Sequence, residues 1–423
     1  MQNARALQGA LDRGGLVEVH CPGIYDISGT LLIGSNTHLR FAAGVVLRKT
    51  ADDDGRPWRH LLLNRGALHR TTDENVSVTG LTLMVNGMDG VAYDNRAHGS
   101  MPRSNGAHVF GMRGQLALFH VRNAAIRRFR CLDVGPQQFA IHVCTFDHLL
   151  IEDVQIRGWK DGVHLGRGRD FVIRHAVFQT EDDAIALNAY DYATSNPELG
   201  WLSDGVVQDV TDMSDGHPPN GFFSRLLAGA WVDWTSGMEV RHGDAVVSDG
   251  AVYRVVYHEA IAGGGSDFSG TSTSAPSDSV REFERRAVGR DGVPWLKAQA
   301  DVQYSAGVRN VSFGDIRLLK RRYGVTLRYE NNSHVRSVHP LAPPPVQGPI
   351  SLERVTMDVS HSRVVVHVST PHVGVSIDGV PCRASHACTT TGMPRTRRKP
   401  SSGGAHAGAL APAVMAVEAV PPT

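Results

Sequence analysis

A repeat of 22 residues constrains the fold of this chain more than any other feature. Residues 161–165 (DGVHL) and 183–187 (DAIAL) are two versions of one pattern, 22 residues apart, and Ile141 lies 22 residues before Val163. Apolar residues alternate with other residues inside each copy, as they do in β-strands. A period near 22 residues with this alternation predicts a β-solenoid in which each repeat forms one coil.

Three aspartates occupy equivalent or adjacent positions of neighbouring repeats. Asp161 and Asp183 are equivalent, and Asp182 lies beside the second of them. Because neighbouring coils lie ~4.8 Å apart, the three carboxylates would share one surface, where repulsion raises at least one pKa. Turn chemistry explains any single aspartate, but the three together indicate cation binding or catalysis. Strict alternation would bury two of them, so both are expected where the strands begin.

The alternation also assigns the other side chains to two faces of each strand. The residues expected to point inward are Ile141, Val143, Val163, Leu165, Ile185, Leu187, Val325 and Leu327. The residues between and after them are expected to face outward in two rows, one of His142, His164, Ala186 and Thr326 and one of Cys144, Gly166, Asn188 and Arg328. Five polar members are therefore candidates for substrate binding: His142, His164, Asn188, Thr326 and Arg328.

The spacing of the aspartates resembles the signature of glycoside hydrolase family 28, the polygalacturonase-type pectin hydrolases. That signature is Asn-Thr-Asp, followed by Asp-Asp 21 and 22 residues later. Asp161, Asp182 and Asp183 match this spacing, while Trp159 and Lys160 replace the Asn-Thr pair. The resemblance extends over most of the chain to about residue 380, apart from an insertion.

Two later motifs of that family are incomplete in this chain. The family motif Asn-Gly-Val-Arg-Ile-Lys resembles residues 323–328 (YGVTLR), where Thr326 replaces the arginine and Arg328 stands at the lysine. Gly-His-Gly does not occur in the sequence, and His217 is a candidate to replace its histidine. Loss of one cation predicts that unesterified polygalacturonate is a poor substrate, and that less acidic or neutral glycans are preferred.

The resemblance implies a right-handed parallel β-helix that hydrolyses an O-glycosidic bond of a polysaccharide with inversion. It assigns Asp182 as the general acid, and Asp161 with Asp183 as the pair that activates water. Two carboxylates on opposite sides of the bond are the minimal apparatus for this reaction, and crowding separates their pKa values. Acid and base carboxyls are expected ~6.5–9.5 Å apart, or arranged to admit water. No metal or other cofactor is expected, and the expected partner is a polysaccharide or oligosaccharide.

Most of the chain is predicted to be one solenoid. Residues 2–11 have apolar residues at helical spacing and are expected to cap its open end, which an uncapped solenoid would leave exposed. The solenoid is predicted over 1–190 and 304–382. Residues 383–423 are rich in Pro, Ala, Ser and Arg without a period, which predicts a disordered tail.

Between the two parts of the solenoid the period is lost. Residues 191–303 are therefore predicted to be an insertion within one coil, or to replace several coils. Inside it, residues 229–257 resemble the small β-module of some carbohydrate-binding domains of chitinases. Trp231, Trp234 or Tyr257 of this module either form a sugar platform or simply belong to the core of a small β-fold.

Composition excludes few functions but does limit the partners. The chain of 423 residues has 43 basic and 42 acidic residues, a net charge of +1, so no basic bias indicates nucleic acid. No apolar run reaches the ~18 residues of a membrane span, and a monomer is expected. Met1 is followed at once by a polar helical stretch without a visible signal peptide, although the family resemblance implies a secreted or periplasmic protein.

Two other functions remain open on the sequence. A β-helix polysaccharide lyase or epimerase also uses clustered aspartates around calcium, with a cationic base for which Lys160 and Arg328 are available. A non-catalytic carbohydrate-binding β-helix would explain the aromatic insertion and the incomplete motifs, but not the three aspartates. Activity that survives a chelator and yields no unsaturated product would separate hydrolysis from elimination.

Overall fold

The computed structural model describes eleven parts of the chain. They are residues 2–51, 60–89, 109, 111–214, 220–256, 268–276, 287–288, 291–320, 322–332, 335–357 and 366–382. All of them belong to one compact unit, Met1–Thr389. The predicted tail, 383–423, and the candidates His217 and Tyr257 lie outside the described residues.

The described chain begins with the predicted helical cap. Helix α1 (Gln2–Leu11) buries Leu11 in the core and packs Leu7 against it. The first coils contain β1 (Gly15–Val19), β2 (Gly23–Ser28), β3 (Leu31–Ile33), β4 (Thr37–Phe41), β5 (Val45–Thr50), β6 (Leu62–Asn64), a 3₁₀ turn at Arg65–Leu68, β7 (Asp73–Thr79) and β8 (Thr82–Met84). Among the described residues, no helix has the length and apolar character needed to cross a bilayer.

Longer strands form the middle of the solenoid. They are β9 (Gly114–Arg127), β10 (Arg130–Val134), β11 (Phe139–Gly158), β12 (Val163–Leu165), β13 (Gly168–Thr180), β14 (Ile185–Asn188), β15 (Leu202–Asp212) and β16 (Ser224–Leu227). Strand β12 pairs with β11 on one side and with β14 on the other, both in parallel. Ile141, Val163 and Ile185 are successive partners in this register, which is the 22-residue period seen in the sequence.

A small module follows and then the solenoid resumes. The module contains β17 (Gly229–Ala230), β18 (Val232–Asp233), β19 (Met238–Arg241), β20 (Ala245–Ser248), β21 (Ala251–Val255), β22 (Ser269–Ser272), β23 (Ala287–Val288), β24 (Pro294–Gln299) and β25 (Ser305–Ala306). The last coils contain β26 (Val308–Leu318), β27 (Val325–Arg328), β28 (Ile350–Met357), β29 (Val366–Val368), β30 (Val375–Ile377) and β31 (Val380–Pro381).

The predicted fold class is confirmed. Strands β1 to β16 and β26 to β31 form one 22-stranded sheet. Each pairing in it is parallel except the terminal pairing of β30 with β31. A sheet that pairs each coil with the next and the previous one in parallel is a parallel β-helix. The eight residues predicted to point inward are all buried in its core.

A column of turn residues explains much of the polar sequence between the strands. Asn75, Asn123 and Asn310 have φ angles of 56°, 54° and 53°, in the left-handed region that asparagine tolerates. They occupy equivalent positions of different coils. The amide of Asn123 donates to Asn75 over 3.2 Å, so neighbouring turns also hydrogen-bond to each other.

The solenoid resumes earlier than predicted, which corrects the boundary of the 191–303 insertion. Strands β15 and β16 lie inside that range, yet Gly168 pairs with Leu202 and Ile185 pairs with Ser224. They therefore form one more coil. The period was hidden because the segment between β14 and β15 lengthens this repeat, so that the paired residues are 34 and 39 apart instead of 22.

The true insertion is the module between β16 and β26. It is built around a five-stranded sheet of β18, β20, β21, β24 and β23, and so extends well beyond the predicted end at 257. Trp231 is 1% exposed and packs 5.8 Å from the ring of Tyr190, which makes it a core residue and not a sugar platform. Trp234 is partly buried against the core of the module.

Substitution of Gly205 would test how closely neighbouring coils pack. A Cβ atom there would lie 2.1 Å from Cζ of Phe171, whose ring is fully buried and cannot move aside. We expect Gly205→Ala to lower the free energy of unfolding by about 1–3 kcal/mol, the usual effect of overpacking, as measured by denaturant unfolding. Gly314→Ala is the matched control, because its Cβ would meet only side-chain atoms at 3.6 Å or more. Equal stability of the two variants would contradict this packing.

Candidate active site

The three predicted aspartates lie together at the start of two neighbouring short strands. Asp161 comes just before β12, and Asp182 and Asp183 come just before β14. One carboxylate oxygen from each lies within 4.8 Å of those of the other two. The two loops are joined by a hydrogen bond of 3.0 Å from Gly162 N to the carbonyl of Asp183. The clustering and the position at the strand starts agree with the sequence prediction. The expectation that Asp161 and Asp183 would avoid burial is wrong, because His164 pairs with Asp161, and the N–H of Phe222 and Arg225 pair with Asp183.

Asp161 is held by a histidine of its own strand. Its Oδ2 lies 2.8 Å from Nδ1 of His164, and both side chains are buried. The imidazole of His164 stacks on the ring of Phe139 at 4.2 Å, with an angle of 4° between the planes. The other oxygen, Oδ1 of Asp161, has no hydrogen-bond partner among the described residues.

Asp183 is the most deeply buried carboxyl of the cluster. Its Oδ1 accepts the backbone N–H of Phe222 at 2.8 Å, and its Oδ2 lies 2.8 Å from Nε of Arg225. Burial raises the pKa of Asp183 to about 8; the charges of Asp161 and Asp182 add to this, and Arg225 only partly opposes it. Burial thus favours the protonated form of Asp183.

Asp182 differs from its neighbour in exposure and charge. Its side chain is 16% exposed, and its Oδ2 forms an ion pair with Nζ of Lys160. Burial raises the pKa of Asp182, but the charges of Lys160 and Arg225 outweigh burial and lower it to about 2. Two adjacent carboxyls thus have pKa values shifted in opposite directions.

A buried ion pair from later coils fixes the loop that carries this pair. Arg322 forms a bidentate ion pair with Asp212 at 2.9 and 2.6 Å, and its Nη1 donates to the carbonyl of Asp182 at 2.6 Å. Gly221 packs against the same loop with φ of 67°, and a Cβ there would lie 2.7 Å from the nitrogen of Asp183. The position of the loop therefore depends on contacts that are distant in sequence.

The first predicted outward row has the expected register but not the expected exposure. His142, His164, Ala186, Arg225 and Thr326 are successive partners across five strands. The predicted members of this row are nevertheless buried. The expectation that they face solvent is thus wrong, because polar groups from other segments lie against this face of the strands.

Contacts from neighbouring segments to His142 and His164 show how this row is buried. Nδ1 of His142 accepts the backbone N–H of Arg113 at 3.0 Å. Nε2 of His164 lies 3.7 Å from Asp191, in the segment that follows β14. Burial and the neighbouring His164 lower the pKa of His142 well below its usual range, so that it is neutral.

The second predicted row is divided between buried and accessible members. Asn188 is buried and donates to Asp191 over 2.7 Å. Arg328 is accessible, with a side-chain exposure of 33%; it pairs with Glu330 at 3.0 Å, and its guanidinium lies 5.3 Å from the centre of the Phe222 ring. Of the five predicted substrate-binding residues, only Arg328 is open to solvent in this structure.

Buried polar atoms without a hydrogen-bond partner concentrate around the aspartates. In the part of the chain that the structure describes, they include Nε2 of His142, Oδ1 of Asp161, Nε2 of His164, Oδ1 of Asn188, Oγ of Ser224 and Oγ1 of Thr326. Each such group costs about 1–3 kcal/mol when it stays unsatisfied. Their concentration on adjacent strands favours a site that binds a ligand rich in hydrogen-bonding groups.

Arg225 is the main functional candidate that the sequence did not reveal. It contacts Asp183, lies 3.6 Å from Asp191 and 3.9 Å from Glu330, and so links three carboxyl groups. Its segment, 224–227 (SRLL), does place a polar residue one position before a leucine, as in β12. This similarity to β12 was not recognised, because the 22-residue period is interrupted before the segment and the segment was therefore predicted to belong to the insertion.

The aspartates are also the described residues best placed to hold a cation. Their oxygens lie close enough together to share one ion, and hard divalent cations prefer carboxylate oxygens. Lys160 and Arg225 already bring two positive charges to Asp182 and Asp183. A metal ion would therefore compete with these two cations for the same oxygens.

Comparison with known proteins finds only weak likenesses. The endo-xylogalacturonan hydrolase of Aspergillus tubingensis is 11% identical, with 87% of this chain and 72% of that chain covered, at a TM-score of 0.45. A Family 28 exopolygalacturonase of Yersinia enterocolitica is 12% identical, with coverage of 90% and 76% and a TM-score of 0.40. The Streptococcus pneumoniae surface adhesin PfbA is 12% identical, with coverage of 89% and 95% and a TM-score of 0.38. No family model and no curated protein sequence matches the chain.

Replacing Asp183 with asparagine should stabilise the fold at neutral pH. Because the pKa of Asp183 is raised from 3.8 to about 8, the folded protein keeps a proton that the unfolded chain releases, and stability falls as pH rises between these two values. Asparagine imitates the protonated carboxyl and removes this dependence. We expect Asp183→Asn to gain roughly 1–3 kcal/mol in free energy of unfolding at pH 7, with a smaller gain at pH 4, measured by urea unfolding.

The control for this experiment is Asp249→Asn, which changes an exposed carboxyl of the module. The difference in free energy of unfolding between this variant and the wild type should be the same at pH 4 and at pH 7. A pH-independent difference for Asp183→Asn would mean that Asp183 is ionised in the folded protein.

Proposed function

We propose that this protein is a glycoside hydrolase that cleaves an O-glycosidic bond of a polysaccharide. The observation that supports this most directly is the cluster of Asp161, Asp182 and Asp183, whose carboxylate oxygens lie within 4.8 Å of one another; the pKa values of the adjacent pair are shifted in opposite directions. Asp183 keeps a proton at neutral pH, whereas Asp182 is ionised. Hydrolysis of a glycosidic bond needs one carboxyl that donates a proton and one that accepts a proton from water.

Exposure favours Asp182 as the carboxyl that meets the substrate, since Asp161 and Asp183 are buried. Its proposed role as the general acid requires a proton, which the Lys160 contact opposes. In the proposed mechanism, substrate binding draws the Lys160 ammonium away, and the proton of Asp183 moves to Asp182. The site would then store its proton on a buried carboxyl and deliver it through an accessible one.

The remaining step is the attack of water on the sugar, for which Asp161 is the proposed base. Asp161 takes a proton from water, the water oxygen bonds to the anomeric carbon, the bond to the leaving oxygen breaks, and Asp182 gives that oxygen its proton. His164 has a positioning role, since its Nδ1 lies 2.8 Å from Asp161. Asp161 ends protonated and Asp183 ionised, so one proton transfer between them or through solvent restores the site.

The distance between the carboxylates bears on the stereochemical outcome. Their oxygens lie within 4.8 Å of one another, closer than the ~6.5–9.5 Å between carboxyls that is usual for inversion. A nucleophile, however, must touch the anomeric carbon itself, whereas a base needs to reach only a water molecule. Because Asp161 is buried and Asp182 carries the proton for the leaving oxygen in this mechanism, the proposal retains inversion.

Aromatic and basic side chains surround the accessible carboxyl and would form the rim of the substrate site. Trp159 is 55% exposed and its carbonyl accepts the N–H of Asp182 at 3.1 Å. Phe222 lies 6.1 Å from Tyr323, which is exposed, and under the guanidinium of Arg328. Exposed aromatic faces of this kind suit the apolar faces of sugar rings.

The charge of the site favours a neutral or weakly acidic glycan. Five carboxyl groups (Asp161, Asp182, Asp183, Asp191 and Glu330) lie near three cations (Lys160, Arg225 and Arg328). Even with a proton on Asp183 the balance is negative, so a densely carboxylated substrate would be repelled. Arg225 adds a cation to the row in which Thr326 replaces the family arginine, but its contacts to acidic residues already occupy it.

Loss of the accessible carboxyl should abolish most of the activity. We expect Asp182→Asn to lower kcat by ~10²–10⁴-fold, the usual contribution of a general acid, on a substrate identified by screening oligosaccharides. Asp170→Asn is the control, since it changes a carboxyl that is 61% exposed on another part of the solenoid. For both variants, the denaturant concentration at the midpoint of unfolding should differ only slightly from that of the wild type. Wild-type turnover in Asp182→Asn would remove this residue from the mechanism.

The first product should have the inverted anomeric configuration, because a water molecule and not a carboxylate attacks the sugar in this proposal. Proton NMR of the anomeric signals in the first minutes of reaction measures this, before mutarotation mixes the two forms. Retention would instead indicate a covalent intermediate on one of the aspartates, which the short separation of the carboxylates would permit.

Lys160 supports β-elimination as a second candidate function. Its ammonium contacts Asp182 in a cluster whose oxygens could share a cation, and elimination next to a uronic acid needs a base beside such an ion. A product that absorbs in the ultraviolet, together with activity lost on chelation, would favour this function over hydrolysis.

A further inference from the structure

A row of charged side chains crosses another face of the solenoid, away from the aspartates. Glu74, Arg122, Asp147, Arg169, Ser203 and Arg309 are successive partners on six neighbouring strands. The first four alternate in sign and pair with each other: Glu74 with Arg122 at 2.7 Å, and Asp147 with Arg169 at 2.9 Å. This part of the row is a solvated ladder of ion pairs, each of which contributes little to stability.

The alternation of negative and positive side chains along this row ends at Ser203. A carboxylate at this position would pair with Arg309 on the next strand, but serine offers only a hydroxyl, which donates to Asp204 at 2.8 Å. Asp204 is itself engaged by the amide of Asn310 at 2.6 Å. Among the described residues Arg309 forms no ion pair within 4 Å; its guanidinium instead lies over the ring of Trp201 at 5.1 Å.

A pocket of about 410 Å³ lies over this interruption. Its lining includes Arg169 and Arg309 on either side of Ser203, and also Arg167, Trp201 and Gln303. This volume falls within the range of small-molecule sites. Since neighbouring strands are ~4.8 Å apart, the two arginines of the row are separated by about 10 Å, enough for one sugar ring between them.

The other walls of the pocket are held rigidly. Arg167 makes two hydrogen bonds of 2.9 Å to Asp301 and lies 3.7 Å from the buried Glu198. Glu198 also binds His120 at 2.9 Å and Thr145 at 2.6 Å. This buried network fixes the wall, whereas Arg309 is exposed and acts on Asp204 only through its charge.

We propose that this pocket binds a saccharide unit that carries a carboxylate or sulfate group. Arg309 would bind the anionic group, because its guanidinium can bind two oxygens of a carboxylate or sulfate group and forms no ion pair within 4 Å among the described residues. Trp201 would contact the ring, and Gln303 with Ser203 would bind hydroxyl groups. A simple inorganic anion would use Arg309 but neither the aromatic ring nor the neutral polar groups.

The pocket is separate from the aspartate cluster. Asp161 comes just before strand β12, whereas Arg167 comes just after it. The two sites therefore lie at opposite ends of the same short strand. Binding here needs no contribution from the aspartates, so the proposal does not depend on the hydrolase activity.

Binding can be measured by isothermal titration calorimetry on the full chain. The probes are a linear uronic acid tetrasaccharide and its fully methyl-esterified counterpart, which has the same backbone without the charge. We expect the acidic form to bind more tightly, and its affinity to fall as ionic strength rises. Arg309→Gln should weaken it by about tenfold, the effect of losing one charge-assisted hydrogen bond.

Arg317→Gln is the matched control, because it removes the same charge from an exposed position of the same strand outside the pocket. It should leave the affinity unchanged. A parallel titration with a sulfated tetrasaccharide distinguishes the two anionic groups. Equal binding by the Arg309 and Arg317 variants, or equal affinity for the methyl ester, would overturn the proposal.

Discussion

Main-chain hydrogen bonds between successive coils determine where every candidate functional group of this protein lies. They hold equivalent residues of neighbouring repeats one strand spacing apart, whatever those residues are. For the turn asparagines this is favourable, since Asn123 donates to Asn75. For Asp161 and Asp183 it is not: two carboxylates at about 5 Å repel by roughly 3 kcal/mol at an effective dielectric constant near 20.

The chain meets this repulsion with one proton and two cations. Asp183 takes the proton because it is the most buried carboxyl, and Asp182 stays ionised because Lys160 contacts it. Arg225 lies between Asp183 and other acidic groups of later coils. The strand pairing of the solenoid needs none of these groups, which agrees with the chemistry proposed for this site.

Enclosure of the site has two consequences. The buried row from His142 to Thr326 keeps polar atoms in an environment with little water, where each interaction with a bound ligand is strengthened. It also restricts access to the side where Asp182 and Arg328 are exposed. The second pocket has the opposite character, since it lies on an open row of paired charges and depends on a single arginine without a carboxylate partner.

The amino-acid sequence alone determined the solenoid, the helical cap and the grouping of the three aspartates. The solenoid and the grouping of the aspartates follow from a period of 22 residues, which is a local property that main-chain pairing converts directly into distance. The cap follows from the helical spacing of apolar residues in 2–11. The residues that point into the core were equally predictable, because alternation in a strand depends only on neighbouring positions.

Only the tertiary structure decided which of the other residues belong to the site and how they are charged. Arg225 was hidden because the loop between β14 and β15 changes the length of its repeat. The burial of His142, His164 and Thr326 depends on segments that pack over the strands, and no periodicity describes those contacts. The opposite pKa shifts of Asp182 and Asp183 likewise arise from burial and from the positions of Lys160 and Arg225, since desolvation and charge act through space and not along the chain.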